Sequence, residues 1–262
     1  MSRSDTVLVI SPHADDATIY CGGYMAIMAK QGKKIVVVRV TNDDFDGICG
    51  SEEENIAINR EQSEAAYRIL GAGEIIHLGY QSDYLLNVNH YDLREQFVRL
   101  IRKYRPAETL CFGLDDRMEE NPDHRVTAKA FNDAAWVSGF TLHYPEHKKE
   151  GLEPHLINRR ISYFRNPLEV NMPIDISSIL ETKISSLKVQ SNVMSNFVSQ
   201  IKLRSAILGI KSPLLDAPVN SIIEALVPMQ AGALGEPFGL SHAELFYEEK
   251  SSLIDWIGQQ GQ

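Results

Sequence analysis

The segment VISPHADDATIYCGG, residues 9–23, places a histidine and two adjacent aspartates directly after an apolar run. Charge without a partner is costly away from water, so such a cluster indicates a function. On a sharp turn after a strand, residues i and i+3 point into the same space, and His13 and Asp16 have the spacing to bind one metal ion. Asp15, between them, would then project towards whatever the metal binds.

A second segment, NPDHRVT at 121–127, supplies a candidate third ligand, His124. Three protein ligands with an open fourth position are typical of catalytic rather than structural zinc. The alternative interpretation is helix capping, since aspartate is a good N-cap residue. In that interpretation Asp15 or Asp16 caps the first helix, and Asp123 caps the later one. Capping alone requires neither the histidines nor the doubled aspartate.

The first half of the chain alternates strand and helix patterns. Apolar, β-branched runs predict four strands, and helical spacing with end signals predicts four helices. The predicted strands are 6–11, 34–42, 74–80 and 109–114, and the predicted helices are 17–31, 51–71, 91–104 and 124–139. Such alternation implies a parallel sheet with right-handed crossovers. We therefore predict an α/β fold with a doubly wound, mostly parallel, Rossmann-like sheet in a three-layer sandwich.

This topology would bring together the two segments that carry the candidate metal ligands. The usual strand order for such a start is 3-2-1-4, which sets strands 1 and 4 side by side where the winding direction reverses. Ligands bind at that point, beyond the carboxyl ends of the strands. PHADD follows strand 1 and NPDH follows strand 4, so both should lie in one crevice. The expected convergence favours a metal site over capping.

The second half has weaker patterns. Residues 156–167 alternate like a strand, and residues 177–197 have helical spacing that IKLRSAILGI could continue. Residues 211–239 hold most of the remaining proline and glycine and predict a loop-rich elaboration. No linker or internal repeat divides the chain. The predicted organisation is one domain over 1–262, with a core at 5–165 and a C-terminal elaboration at 166–262.

The composition is that of a globular protein, with 44% apolar and 23% charged residues among 262 and a net charge of −9. The acidic balance argues against a nucleic-acid-binding surface, which usually needs a basic face. No stretch approaches the roughly 18 apolar residues of a membrane span, and the N-terminal run is too short for a signal peptide. Three widely spaced cysteines form no CxxC pair, so we expect a reduced, cytoplasmic location.

Several motifs resemble those of one known family. PHADDATIYCGG is similar to the PHPDD…GG signature of the LmbE/PIG-L-like metal-dependent deacetylases, and NPDHRVT is similar to their HPDH segment. NREQSEAAYRILGAGEIIHLGYQSD, at 59–83, resembles the family's Arg-Glu-rich helix and following strand. The resemblance is good over 5–140 and sparse beyond it, mainly at 183–191 and 239–247. It implies a zinc-dependent hydrolase that removes an acetyl or other acyl group from the nitrogen of an N-acetylglucosamine-type sugar conjugate.

The resemblance also implies roles for individual residues. His13, Asp16 and His124 match the metal ligands, Asp15 matches the general base, and Asp123 matches a residue that orients a metal-binding histidine. One zinc ion per chain is the expected cofactor, and the same ligands also suit iron(II) or another divalent ion. A small sugar conjugate is the expected partner. The family resemblance also implies a homo-oligomer.

Three further positions match the family's pattern, and for two of them we also consider a residue without a role in the site. Arg60 and Asp83 match positions that hold sugar hydroxyls or shape the site, and His242 matches a histidine that assists the tetrahedral intermediate or the leaving amine. The alternative for Arg60 is an arginine on a helix surface. The alternative for His242 is a solvent-facing histidine near a strand.

The chain departs from the family pattern at three positions. Ala14 replaces a proline, Asn121 replaces the first histidine of HPDH, and Val189 stands where many members have a histidine. These changes bear on substrate identity more than on metal binding. Two other functions stay open: a metal-dependent hydrolase of another ester or amide, and a non-catalytic sugar- or nucleotide-binding protein. The presence of Asp15 favours an enzyme, since a binding module needs no base.

Overall fold

The computed structural model describes residues 5–114 and 119–249. The strands are β1 (Thr6–Ser11), β2 (Lys34–Thr41), β3 (Ala72–Tyr80), β4 (Glu108–Phe112), β5 (Arg159–Tyr163), β6 (Met172–Asp175) and β7 (Ala243–Glu249). The helices are α1 (Asp16–Lys30), α2 (Glu52–Ile69), α3 (His90–Tyr104), α4 (Pro122–Val137), α5 (Glu146–Lys149), α6 (Leu180–Val189), α7 (Ser191–Ile207) and α8 (Val219–Gly235). Among the described residues, no helix has both the length and the apolar character that a membrane span requires.

The strands form one mixed sheet in the order β3-β2-β1-β4-β5-β7-β6. The first five pair in parallel, and β7 pairs antiparallel with both β5 and β6. The predicted α/β fold and the predicted 3-2-1-4 strand order are confirmed. The carboxyl ends of β1 and β4 therefore lie next to each other, as the position of the site requires.

Helices cover both faces of the sheet. Successive side chains of a strand point to opposite faces, and β1 shows this clearly because its central residues are fully buried. Val7 and Val9 pack into a core with α1, whereas Leu8 and Ile10 pack into a second core with α3 and α4. The arrangement is the expected three-layer sandwich, and it explains the continuous apolar runs of the central strands.

The prediction that residues 211–239 are loop-rich is wrong, because α8 occupies Val219–Gly235 within them. Pro228 lies inside this helix, where proline usually costs about 3 kcal/mol or more. Ile222 and Ile223 are buried on the face that packs against the rest of the molecule. Burial of this apolar face outweighs the preference of the proline and glycine residues for loops. A prediction from their number alone therefore fails here.

The predicted helix over 177–197 is two helices, α6 and α7, which meet at Gln190. Gln190 has φ −84° and ψ 45°, outside the helical range, so the chain changes direction there. The side chain of Gln190 is buried and its Nε2 donates a hydrogen bond to the carbonyl of Ala14 at 2.7 Å. The break in the helix thus delivers a side chain to the turn after β1.

Helix α1 approaches β7 closely through Gly23. A Cβ atom at this position would lie 2.7 Å from Cγ2 of Ile176 and 2.9 Å from Oε1 of Glu244. The amides of Gly23 and Tyr24 donate to the two carboxylate oxygens of Glu244 at 2.7 and 2.8 Å. Glycine is needed here because any side chain would push the helix off this buried carboxylate.

Gly23→Ala is expected to lower the free energy of unfolding by about 1–3 kcal/mol, the usual penalty for overpacking a core. Chemical denaturation measures the change. Gly73→Ala is the matched control, because a Cβ there would meet nothing closer than the carbonyl of Ile35 at 3.8 Å. Equal stability of the two variants would show that the close approach of α1 to β7 is not required.

Candidate metal centre

The turn between β1 and α1 is fixed by hydrogen bonds from separate elements. The Ser11 hydroxyl donates to the carbonyl of His13 at 2.6 Å. The carbonyl of Ala14 accepts from the hydroxyl of Tyr67 on α2 at 2.6 Å and from the amide group of Gln190 at 2.7 Å. Contacts from within the turn, from α2 and from the α6–α7 junction therefore hold the backbone that presents the two aspartates and the histidine.

The aspartates of the two motifs do not cap the helices. Asp15 stands at the N-cap position of α1, but its side chain makes no capping hydrogen bond. The amide of Ala17 instead donates to the hydroxyl of Ser11 at 3.0 Å. At α4 the cap is Asn121, whose Oδ1 accepts from the amide of Asp123 at 2.8 Å. The capping interpretation is wrong for Asp15 and Asp123, and both carboxylates are available for other contacts.

Three buried side chains converge at the carboxyl ends of β1 and β4. His13 Nδ1 lies 3.1 Å from Asp16 Oδ2 and 3.1 Å from His124 Nε2, and His124 Nε2 lies 3.2 Å from Asp16 Oδ1. In a tetrahedral zinc site with bonds of about 2.0 Å, ligand atoms lie about 3.3 Å apart. The donor types and their separations therefore fit a divalent cation held by these three side chains.

A second set of groups also converges beside His13. It consists of His13, Asp43 and Asp46, whose ligand atoms lie within 4.8 Å of one another. Asp43 Oδ2, however, is already 2.5 Å from the guanidinium of the buried Arg39. A carboxylate with its own cation has less charge to offer to a metal ion, so the set that contains Asp16 is the stronger candidate.

His13 is oriented from behind by Asp123. The Oδ2 atom of this fully buried aspartate lies 3.3 Å from His13 Nε2. The same carboxylate accepts from the amides of Asp83 and Leu85 at 2.6 and 3.2 Å, so its position is fixed by the backbone after β3. A carboxylate on the far nitrogen of a ligand histidine is the usual arrangement around protein-bound metals.

A carboxylate also lies beside the far nitrogen of His124, although these two atoms do not meet in hydrogen-bond geometry. Oε2 of Glu119 lies 3.2 Å from His124 Nδ1, and Oε1 of Glu119 accepts from the amide of Asn121 at 2.9 Å. The ring of Phe112, at the end of β4, stacks on the imidazole with centroids 4.0 Å apart. The ring is thereby held from one edge and one face, with Nε2 directed to the cluster.

Burial and charge act against each other in the cluster. Burial disfavours the charged form of His13, but Asp123 and Asp16 outweigh burial and raise the pKa of His13 well above its usual value. Burial would raise the pKa of Asp16, yet His124 and His13 hold it well below the usual range. The pKa of His124 is raised against burial by Asp16 and Glu119. The cluster therefore favours positive charge at its centre, which protons or a metal ion supply.

Asp15 faces a cavity of about 130 Å³ beside the cluster. This polar cavity, as we name it, is lined by the three candidate ligands together with Asp15, Asp46, Asn121 and Arg165. Burial, followed by the charges of Asp16 and Asp46, raises the pKa of Asp15 to about 7. Burial also raises the pKa of Asp46 to about 6. A carboxyl group with a pKa near 7 is matched to proton transfer at neutral pH.

Two residues with predicted roles lie away from the polar cavity. The side chain of Arg60 on α2 is 62% exposed, and its Nε lies 3.3 Å from Oε1 of Glu64. His242 precedes β7, which is two strands from β4 in the sheet, and its Nδ1 lies 3.4 Å from the hydroxyl of Ser177. Neither residue lines the cavity. The geometry gives no support to a substrate contact for Arg60 or to a catalytic role for His242.

Asp83 contacts the site through its backbone. It adopts the left-handed conformation with φ 58°, and its amide donates to Asp123 Oδ2 at 2.6 Å. Its own side chain is exposed and does not line the polar cavity. Its carboxylate adds to the negative charge that raises the pKa of Asp46. The structure thus assigns Asp83 a supporting position around Asp123.

Three residues at the site were missed by sequence reasoning: Asp46, Glu119 and Arg165. Asp46 lies in NDDFDG after β2, and Arg165 lies in FRNP after β5. Both follow strands that flank β1 and β4, so the rule that ligands bind beyond the carboxyl ends of parallel strands covers them as well. Glu119 lies directly ahead of NPDH in a polar loop and has no pattern that separates it from its neighbour Glu120.

Comparison with known proteins agrees with this architecture. A family model described as PIG-L, GlcNAc-PI de-N-acetylase, matches residues 8–135. A diacetylchitobiose deacetylase from Thermococcus kodakarensis is 27% identical over 190 residues, which are 71% of this chain and 69% of the relative. An N,N'-diacetylchitobiose deacetylase structure from Pyrococcus horikoshii has a TM-score of 0.76 at 22% identity, covering 94% of this chain and 84% of that chain.

The same fold also occurs with a different activity. A 4-carboxy-2-hydroxymuconate hydratase from Pseudomonas putida has a TM-score of 0.68 at 17% identity, covering 94% of this chain and 96% of the other. The fold alone therefore does not decide the reaction. The family match and the fold nonetheless confirm the resemblance seen in the motifs. The chain therefore resembles the PIG-L family model over residues 8–135, and it shares its fold with the Pyrococcus horikoshii structure over 94% of its length.

Proposed function

We propose that this protein is a metal-dependent N-deacetylase that removes an acetyl or other acyl group from an N-acetylglucosamine-type sugar conjugate. The observation that carries the proposal is the triangle of donor atoms from His13, Asp16 and His124 with the carboxyl group of Asp15 beside it. The diacetylchitobiose deacetylase from Thermococcus kodakarensis, similar over most of its length, supports this reaction class.

The proposed metal ligands are His13, Asp16 and His124, with Asp123 and Glu119 orienting the two imidazoles. Two nitrogen donors and one carboxylate oxygen with an open position favour zinc, and iron(II) is the main alternative. When bound, such a cation supplies Lewis acidity towards the amide carbonyl and lowers the pKa of water. The carboxylates of Asp16, Asp123 and Glu119, which raise the pKa of the two histidines, also favour a cation at this position.

The proton transfers fall to Asp15. Its carboxylate accepts the proton of the attacking water and then returns a proton to the departing amine, which leaves poorly unless protonated. Among the described residues that line the polar cavity, none is serine or cysteine, so water attacks directly rather than a side-chain nucleophile. One group thus acts first as base and then as acid.

The rest of the polar cavity suits a sugar. Asp46, Asn121, Asn196, Gln200 and Arg165 place carboxylate, amide and guanidinium groups around it. Such groups hydrogen-bond hydroxyls in several directions. Asn121 occupies the position of a family histidine, and here it caps α4 at the rim of the cavity.

Asp15→Asn is expected to reduce the release of free amine by about 10²–10⁴-fold, since a positioned general base contributes that much. The measurement is amine release from a panel of N-acetylglucosamine conjugates by zinc-loaded protein, with metal content determined for each variant. Asp216→Asn, at an exposed position far along the chain, is the control. Full activity of Asp15→Asn would assign the base elsewhere, and no release by the metal-loaded wild type would rule out N-deacylation of these conjugates.

Glu119→Gln is expected to weaken metal binding by about 10–100-fold, because partners of ligand histidines fix the ring and raise its basicity. Competition with a chromogenic chelator measures the affinity. Glu120→Gln is the matched control, since the neighbouring side chain is 75% exposed and pairs with Arg204, whose side chain is also exposed. Equal affinities for the two variants would show that Glu119 does not support His124.

His242→Ala is expected to change kcat/KM by less than about threefold, because the residue lies outside the polar cavity. Amine release with the best conjugate from the panel is the readout. A loss of two orders of magnitude at unchanged metal content would contradict this expectation and return His242 to the reaction.

A further inference from the structure

A second and larger cavity, of about 660 Å³, lies between α1, the helices α6 to α8 and the ends of β5 and β7. We name it the apolar cavity, because aliphatic and aromatic side chains form most of its walls. Representative lining residues are Leu187, Met194, Ile222, Leu226 and Val227. Its volume lies within the range of small-molecule sites, which are usually lined in this way.

The apolar cavity adjoins the polar cavity. Five residues line both of them: Ile19, Tyr20, Arg165, Phe197 and Gln200. The proposed metal ligands thus lie on one side of these shared residues, and the apolar walls lie on the other. A substrate that is held at the metal ligands and extends past the shared residues would enter the apolar cavity.

Two charged groups in the wall of the apolar cavity are paired with each other. Nζ of Lys183 donates to Oε1 of Glu244 and to the carbonyl of Ile19, both at 2.6 Å. The carboxylate of Glu244 also accepts from the amides of Gly23 and Tyr24. These two groups have little left to offer a ligand, and aliphatic and aromatic side chains form most of the remaining wall, so recognition in this cavity depends mainly on apolar contact.

We propose that the apolar cavity binds an alkyl chain of the substrate, carried either as the N-acyl group or as the aglycone of the amino sugar. The inference rests on the proposed function for the position of the sugar. A conjugate made only of polar parts would leave the apolar walls in contact with water. Each methylene moved from water to these walls strengthens binding by about fourfold.

The experiment compares two series of ligands below their micelle-forming concentrations. One series varies the aglycone, from methyl to octyl N-acetyl-β-glucosaminide, and the other varies the acyl group, from N-acetyl- to N-octanoylglucosamine. Calorimetry with metal-loaded Asp15→Asn protein measures binding without turnover, and amine release by the wild type measures activity. We expect binding at least about tenfold tighter at the long end of one series, and that series identifies which part carries the chain.

Two variants test whether the apolar cavity causes the difference. Leu226→Trp fills it from α8, and Leu203→Trp adds the same side chain at an exposed position of α7 that does not line it. The chain-length effect should disappear in the first variant and persist in the second. Circular dichroism spectra and metal contents that match those of the wild type show that both variants have folded.

The outcomes separate this inference from the proposed function. Amine release from short substrates, with binding that does not depend on chain length, would overturn the inference and leave the deacetylase standing. Binding that depends on chain length and is lost in Leu226→Trp, without amine release from any substrate, would support alkyl binding in the apolar cavity. It would also refute the proposed N-deacetylation. Length-independent binding together with a dimer that Leu226→Glu dissociates would assign the cavity to a contact between two copies of the chain, and so overturn the inference.

Discussion

The carboxylate of Asp16 is the group on which the arrangement of the site depends. It is buried between His13 and His124, and an ionised carboxylate away from water needs opposite charge close by. A proton on one imidazole can supply that charge, but a proton on each would place two imidazolium ions 3.1 Å apart, where they repel each other. A single cation held by all three side chains would supply the charge without that repulsion. Electrostatics and donor geometry thus favour the same proposed site.

A site of this kind needs a rigid frame, and the frame comes from the whole chain. Tyr67 from α2 and Gln190 from the α6–α7 junction both donate to the carbonyl of Ala14. Asp123 is fixed by amides that follow β3, and it in turn contacts His13. His13 and the turn that carries Asp16 are thus supported by elements remote in sequence. Substitutions far from the motifs will act on the site through these contacts.

The sequence predicted the centre of the site but not its surroundings. Convergence of the segments after β1 and β4 follows from a topological rule, so the sequence alone predicts that His13, Asp16 and His124 lie together. Asp46 and Arg165 obey the same rule but lie in loops whose residue types carry no spacing signal. The role that the resemblance implies for His242 stays a prediction, and its side chain lies 3.4 Å from the hydroxyl of Ser177, outside the polar cavity.

The C-terminal half shows a different kind of failure. Proline and glycine in residues 211–239 predicted loops, whereas burial of Ile222 and Ile223 supports a helix over Val219–Gly235. Local propensity is a weak prior where tertiary burial opposes it. The error matters because this helix builds part of the apolar cavity. The part of the fold that was hardest to predict is also the part that shapes the larger cavity.

The N-terminal half of the chain carries the proposed metal ligands and base, and the C-terminal half forms most of the apolar cavity. The family match over residues 8–135 contains every proposed metal ligand and the proposed base. Apart from Ile19 and Tyr20, the walls of the apolar cavity come from residues after the end of β5. Similarity over the first half therefore bears on the proposed reaction, whereas the helices of the second half shape the cavity that is proposed to bind part of the substrate. Relatives that share the motifs but differ in these helices should share chemistry without sharing substrates.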